Sequence, residues 1–207
     1  MDGSRFSGSA ADADLWRSAT DGDREAFGEL FERHAGRIYN FCFRRLADWT
    51  IAEDLTSAVF LEAWRRRRDV RMAHDSVLPW LYGVAGNLIR NHRRGGRRAL
   101  RALSRITAER SPGPDPADEV AARVDDERRM REVLARMAVL RDVEQDAFVL
   151  CVWQGLSYRE AAVALGVPVG TVRSRLSRAR ARLRVGIAED EDPSEPSASE
   201  RHGSGVR

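Results

Sequence analysis

The chain has 207 residues, 43% hydrophobic and 32% charged, with 35 basic and 32 acidic side chains. That is apolar material enough for one packed domain or two small ones, while no apolar run approaches the roughly 20 residues that a membrane-spanning helix needs. The opening MDGSRFSGSAADADLW holds no apolar signal segment, so a cytoplasmic location is expected.

Residues 1–13 are small and polar and are expected to be disordered. Asp23 then offers an N-cap to a helix whose buried face is Phe27, Leu30, Phe31, His34, Ile38 and Phe41, at three-four spacing. Thr50 and Glu53 make a T-x-x-E capping box for a second helix, which carries Leu55, Val59, Phe60 and Trp64 and ends in four arginines. After the loop DVRMAHDS, Pro79 sits near the first turn of a third helix, PWLYGVAGNLIRNHRR, with Leu81, Val84 and Leu88 on one face. SPGPDPAD, Ser111 to Asp118, reads as a linker. Helical patterning resumes with Val133, Leu134, Met137 and Leu140, then Ala147, Val149, Leu150 and Val152. No segment alternates as a strand would. The expected fold is all-α: two small helical domains joined by a flexible linker. Cys42 and Cys151 fall inside apolar helical patterns and are expected as free thiols.

Every basic side chain other than histidine is arginine. Arginine forks onto phosphate and guanine, where lysine offers a point charge. Charge is also segregated. From Arg65 to Arg101 eleven arginines face only Asp69 and Asp75, whereas Glu189 to Glu200 holds six acids and no base. This points to a polyanionic partner such as nucleic acid.

The most informative stretch is GLSYREAAVALGVPVGTVRSRLSRARARLR, Gly155 to Arg184. Ser157 and Glu160 form a capping box, Gly166 supplies a C-terminal stop, and Pro168 precedes a new helix. Two helices about such a turn make the helix-turn-helix pattern. On the second helix Val172, Leu176, Ala179 and Leu183 fall on one stripe. Ser174, Ser177 and Ala181 lie opposite, beside Arg178, with Arg173 and Arg180 on one flank and Arg175 and Arg182 on the other. Small outward residues let a helix sit deep in the major groove, and neighbouring arginines reach guanine edges and phosphates. In the third helix aromatics accompany Asn87, Arg90, Asn91, Arg93 and Arg94, a composition suited to a single strand, though Trp80 and Tyr82 also suit a core.

AEDLTSAVFLEAW, WLYGVAGNLIRNHRR and the helix-turn-helix stretch, in this order and spacing, resemble the extracytoplasmic-function (group-four, ECF) sigma factors of bacterial RNA polymerase over residues 24–186. The resemblance implies a first domain at 14–98 (sigma region 2), a linker at 99–125, a second domain at 126–186 (sigma region 4) and a disordered acidic tail at 187–207. It implies a transcription-initiation subunit that binds core polymerase, at the β′ clamp helices and the β flap, and promoter DNA. The family commonly adds an anti-sigma protein as partner. Asp54, Leu55, Ser57, Ala58 and Leu61 occupy the core-binding region. Family members often have Gln and Glu where this chain has Ser57 and Ala58. His74, Asp75, Ser76, Trp80, Asn87, Arg90, Asn91 and Arg94 occupy the region that reads and opens the −10 element. Arg159, Thr171, Arg173, Ser174, Arg175, Ser177 and Arg178 occupy the −35 reader.

A stand-alone helix-turn-helix regulator is the alternative, but it leaves the second and third helices without a role. An enzyme is not expected: there is no phosphate loop, H-E-x-x-H helix, dinucleotide glycine motif or cysteine cluster, and His34, His74, His92 and His202 are scattered. No cofactor, metal, membrane or small-molecule substrate is expected.

Overall fold

The structure, a computed structural model, describes residues 11–70, 75–95 and 117–191. Among the described residues eight α-helices follow one another: α1 (Asp12–Thr20), α2 (Arg24–Leu46), α3 (Trp49–Arg66), α4 (Leu78–Arg93), α5 (Ala117–Arg136), α6 (Asp142–Phe148), α7 (Tyr158–Leu165) and α8 (Val169–Glu191). A 3-10 turn, Met137–Val139, leads into α6, and a π-helical turn, Val149–Trp153, follows it. No strand occurs among the described residues. No helix of theirs is long and apolar enough to cross a membrane.

Local chemistry sets most boundaries. The Asp23 carboxylate accepts from the N–H groups of Glu25 and Ala26, as expected of an N-cap. The start of α3 differs from expectation. Ala47 ends α2 in the left-handed conformation at φ 50°, which turns the chain so that Asp48, not Thr50, caps α3 by accepting from Ile51 N–H at 2.8 Å. A charged carboxylate at the N-cap also complements the helix dipole, which a threonine hydroxyl does not. Helix α1 begins at Asp12, two residues inside the stretch expected to be unstructured, and α5 begins at Ala117, inside the expected linker. Helix α8 runs to Glu191, into the first residues of the expected tail.

Helices α1 to α4 pack around Leu15, Leu30, Ile38, Phe41, Leu55, Val59, Leu81 and Ile89. Burying each such side chain contributes about 1.5–3 kcal/mol. Phe31 lies at the margin of this core, 37% exposed, edge-on to Phe60 at 4.8 Å between centroids. Val133 and Val152, read as apolar-face residues, are exposed. Helices α6 to α8 pack around Leu150, Ala161, Val172, Leu176 and Ala179.

The two units are not separate bodies here, because one apolar cluster runs through both. Helix α4 lies against α7 so closely that a Cβ at Gly83 would stand 2.8 Å from the Ala164 carbonyl oxygen. Helix α5 is fastened to the first unit: Trp49 donates from Nε1 to Arg123 O and from its backbone N–H to Glu127 Oε1, both at 3.1 Å.

Candidate nucleic-acid interface

The helix-turn-helix forms from its own sequence signals. Ser157 Oγ accepts from Glu160 N–H at 3.3 Å, and Glu160 Oε2 accepts from Ser157 N–H at 2.8 Å, the reciprocal capping box. Gly166 closes α7 at φ 63°, where a side chain is strained. Val172, Leu176 and Ala179 turn inward, each at most 2% exposed. Arg173, Ser174, Ser177 and Arg178 are therefore carried to solvent, with Arg159 exposed on α7 and Thr171 and Arg175 half-buried at the margin.

Arg178 is held over the outward face: its Nε donates to Ser174 O at 3.1 Å and its Nη2 to Ser174 Oγ at 3.2 Å. Arg173 lies above the Tyr158 ring at 5.7 Å. Beside it a recess of about 340 Å³ is lined by Tyr158, Arg173, Leu176, Ser177, Arg180 and Arg184. Arg180, Arg184 and Tyr158 were not among the expected contacts. A wheel marks Arg180 as a flank, but the recess depends on the crossing of α7 and α8, which no single-helix pattern reports.

The second basic face is that of α4. Asn87, Asn91 and Arg94 are exposed and Arg90 is half-buried. Asp75 is exposed at the end of the preceding loop, and Ser76 is half-buried. His74 lies outside the described residues. Trp80 is half-buried and packs edge-on against Trp16 at 5.6 Å, so it is a packing residue on one side. Tyr82 is buried; its Oη donates to Gln154 Oε1 at 3.0 Å, and burial pushes its hydroxyl up to about 12.

Arg90 is engaged by the second unit. Asp146 accepts from Arg90 Nη1 at 3.1 Å and pairs with Arg45 Nη2 at 2.8 Å. Arg45 is 2% exposed, and Gln145 Oε1 accepts from its Nη1 at 3.2 Å. Burial pushes the Arg45 guanidinium below its ordinary value, and Asp146 opposes that push. Arg93 donates to Arg45 O at 2.6 Å. One buried carboxylate thus joins α2, α4 and α6.

On α3, Asp54 and Ser57 are exposed and Leu61 is half-buried. Partial burial and the charge of Asp48 raise the Asp54 carboxyl above its ordinary value. Leu55 and Ala58, grouped above with these residues, point into the core at 0% and 6% exposure, which leaves Asp54, Ser57 and Leu61 as the members of the group that reach the surface.

A further polar centre escaped the sequence reading. Asp12, 7% exposed, accepts from Arg33 Nη1 at 2.8 Å, from Ser76 Oγ at 2.7 Å and from Val77 N–H at 3.3 Å, and stands 2.7 Å from His34 Nε2. Burial alone would raise this carboxyl, but the hydrogen bonds from His34, Ser76 and Arg33 outweigh it and hold it well below the usual carboxylate range. The signal available in sequence was only an aspartate at the start of an apolar pattern.

Comparison with known proteins agrees with this geometry. Residues 30–111 match the family model for Sigma-70 region 2, and residues 130–183 that for Sigma-70, region 4. The ECF RNA polymerase sigma factor SigE of Mycolicibacterium smegmatis is 34% identical over 181 residues, which span 86% of this chain and 68% of that protein. SigK of Mycobacterium tuberculosis, another ECF sigma factor, is 29% identical over 174 residues, 82% of this chain and 90% of the relative. Among solved structures, CnrH in complex with the cytosolic domain of CnrY superposes with a TM-score of 0.65 at 25% identity, covering 88% of this chain and all of that one. The sigma factor RpoE of Bartonella quintana, solved with the anti-sigma factor NepR, shares the fold with a TM-score of 0.53 at 22% identity, covering 80% and 98% of the two chains. Two sigma regions in order, each built around an arginine-bearing helix, place this chain in the family of ECF sigma factors, the promoter-directing subunits of transcription initiation.

Proposed function

We propose that this sigma factor acts in the cytoplasm, without catalysis of its own, by dividing promoter recognition between its two units. The first unit, 14–98, docks on core polymerase through Asp54, Ser57 and Leu61 of α3 and reads the −10 element with the 71–76 loop and the Asn87, Arg90, Asn91 and Arg94 face of α4. The second unit, 126–186, places α8 in the major groove of the −35 element. The observation that carries this reading is the outward face of α8: serines flanked by exposed arginines, with Val172, Leu176 and Ala179 turned fully inward. Arg173, Arg178 and Arg180 reach base edges or phosphates there, and Arg159 meets the backbone. Opening at −10 is driven by binding, since extruding a base costs a few kcal/mol of stacking that contacts along the strand offset.

Size requires the two units to part for this task. A compact chain of this length has a radius of gyration of roughly 17 Å, hence a diameter of about 43 Å. The −35 and −10 elements lie roughly 25 base pairs apart, about 85 Å along B-DNA. The packed form cannot touch both. Once α5 leaves Trp49, residues 96–116 can reach up to about 70 Å when extended, which bridges the difference. RpoE of Bartonella quintana was solved with an anti-sigma factor, and a protein of that kind, holding the packed form, is a further partner in this reading.

The test is run-off transcription with purified bacterial core polymerase on a pool of genomic promoter fragments, with and without this protein. Defined transcripts only in its presence support the reading. No transcript, together with specific duplex binding by the protein alone, would assign it instead to stand-alone regulators.

A further inference from the structure

Helix α1 precedes the region 2 match, which begins at residue 30, yet it is bound to both stems of the loop before α4. Its contacts recur at positions 12, 16 and 19–20, one face of a helix. On the upstream stem, Trp16 Nε1 donates to Val70 O at 3.3 Å, Thr20 Oγ1 to Arg67 O at 3.2 Å, and Arg67 Nε to Ala19 O at 3.1 Å. On the downstream stem, Asp12 takes Ser76 Oγ and Val77 N–H, and Ser76 Oγ in turn accepts from Leu78 N–H at 3.3 Å, at the first turn of α4. Arg33 and His34 of α2 hold the same carboxylate from behind. Trp16 also meets Trp80.

We propose that Asp12 is a positioning residue for −10 recognition, setting the height and direction of Ser76 and the first turn of α4 while touching no DNA itself. This rests on the assignment of the 71–76 loop and α4 to the −10 element. A core aspartate that merely helped folding would need no more than its partners on α2. Here two of its four partners are the residues that open α4. They are a serine hydroxyl and a backbone N–H, both sensitive to displacements of a few tenths of an ångström.

The test is base discrimination, a ratio that does not depend on how much protein is folded. A promoter from the run-off pool is compared with copies carrying single −10 substitutions, using holoenzyme made with the parent protein or with Asp12→Asn. The variant keeps the size of the side chain and loses its charge. The −10 discrimination ratio is expected to fall about fivefold, the lower end of what one mismatched pair costs. The ratio for −35 substitutions and the affinity for core polymerase stay unchanged. Combining Asp12→Asn with Ser76→Ala should then add little, since both act through one contact. An unaltered −10 ratio in Asp12→Asn overturns the proposal, as does an equal fall in −35 discrimination. Should Asp12→Asn be unfolded by circular dichroism, Trp16→Phe, which deletes the N–H on Val70, is read the same way: a reduced −10 ratio supports the brace and an unchanged one overturns it. If the parent itself directs no promoter-dependent transcript, it is the functional assignment that fails, and the brace falls with it.

Discussion

Replacing Asp146 with alanine should loosen the packing of the two units. The carboxylate sits between Arg45, 2% exposed, and Arg90, half-buried. Without it the Arg45 guanidinium keeps the Gln145 side-chain oxygen at 3.2 Å, while its Nε is already buried without a partner. Breaking a buried ion pair by removing one partner costs about 3–5 kcal/mol, because the remaining charge stays desolvated. Arg45 can escape that penalty by regaining water when α6 lifts away, so the parting of the units limits the cost. The lower figure, about 3 kcal/mol, shifts the packed-to-parted equilibrium by roughly 150-fold. Small-angle scattering reads the change directly: the parent should sit near the radius of a packed chain, and Asp146→Ala should be distinctly larger at the same salt. Amide exchange along α4 should quicken in parallel, since α4 loses its cover. A variant with the parent's scattering curve and the parent's α4 protection would refute the reasoning, and would mean that apolar contact across α4 and α7 holds the units without help from the charges.

The depressed Asp12 carboxyl has a pH consequence of definite sign. A folded value below the unfolded one, about 3.9, stabilises the fold fully above that pH and is lost as pH falls toward the folded value. Urea melts should therefore show the parent losing stability between about pH 5 and pH 2 more steeply than Asp12→Asn, and equal slopes would contradict the network. Arg178→Ala should weaken −35 discrimination by about 1–3 kcal/mol, the worth of a bidentate base contact; an unchanged preference in run-off assays would remove Arg178 from the reading face. The two thiols should differ under native conditions. Cys42 is fully buried and its thiol is pushed up to about 12 by burial, whereas Cys151 is partly exposed. A thiol reagent should titrate Cys151 first and Cys42 only on unfolding, and simultaneous reaction would place Cys42 outside the core.

What was legible in the sequence was local. The helix-turn-helix follows from signals within a few residues of one another, Ser157 with Glu160, Gly166, Pro168 and the Val172–Leu176–Ala179 stripe, and the structure reproduces each. The start of α3 was not legible: the capping box pointed to Thr50, and the left-handed Ala47, which a propensity argument does not foresee, puts Asp48 at the cap instead. Long-range polar chemistry was not legible. Asp12 finds its partners 21 to 65 residues away, and Arg45 meets Gln145 across 100. Periodicity marks a residue as inward or outward without saying what waits there. For the same reason Leu55 and Ala58 could be grouped with a docking face that they only support from within.

The near contact between Gly83 and the Ala164 carbonyl makes the association of the two units depend on a missing methyl group. Any other residue at position 83 has to push α7 away from α4 before the units can seat. A lineage can therefore abandon the packed form through one codon, with both reading surfaces untouched, and can regain it only by restoring glycine or rebuilding the opposing helix. Loss is easy and recovery is narrow. Among descendants of such a protein, the residue at this position records which of them still close.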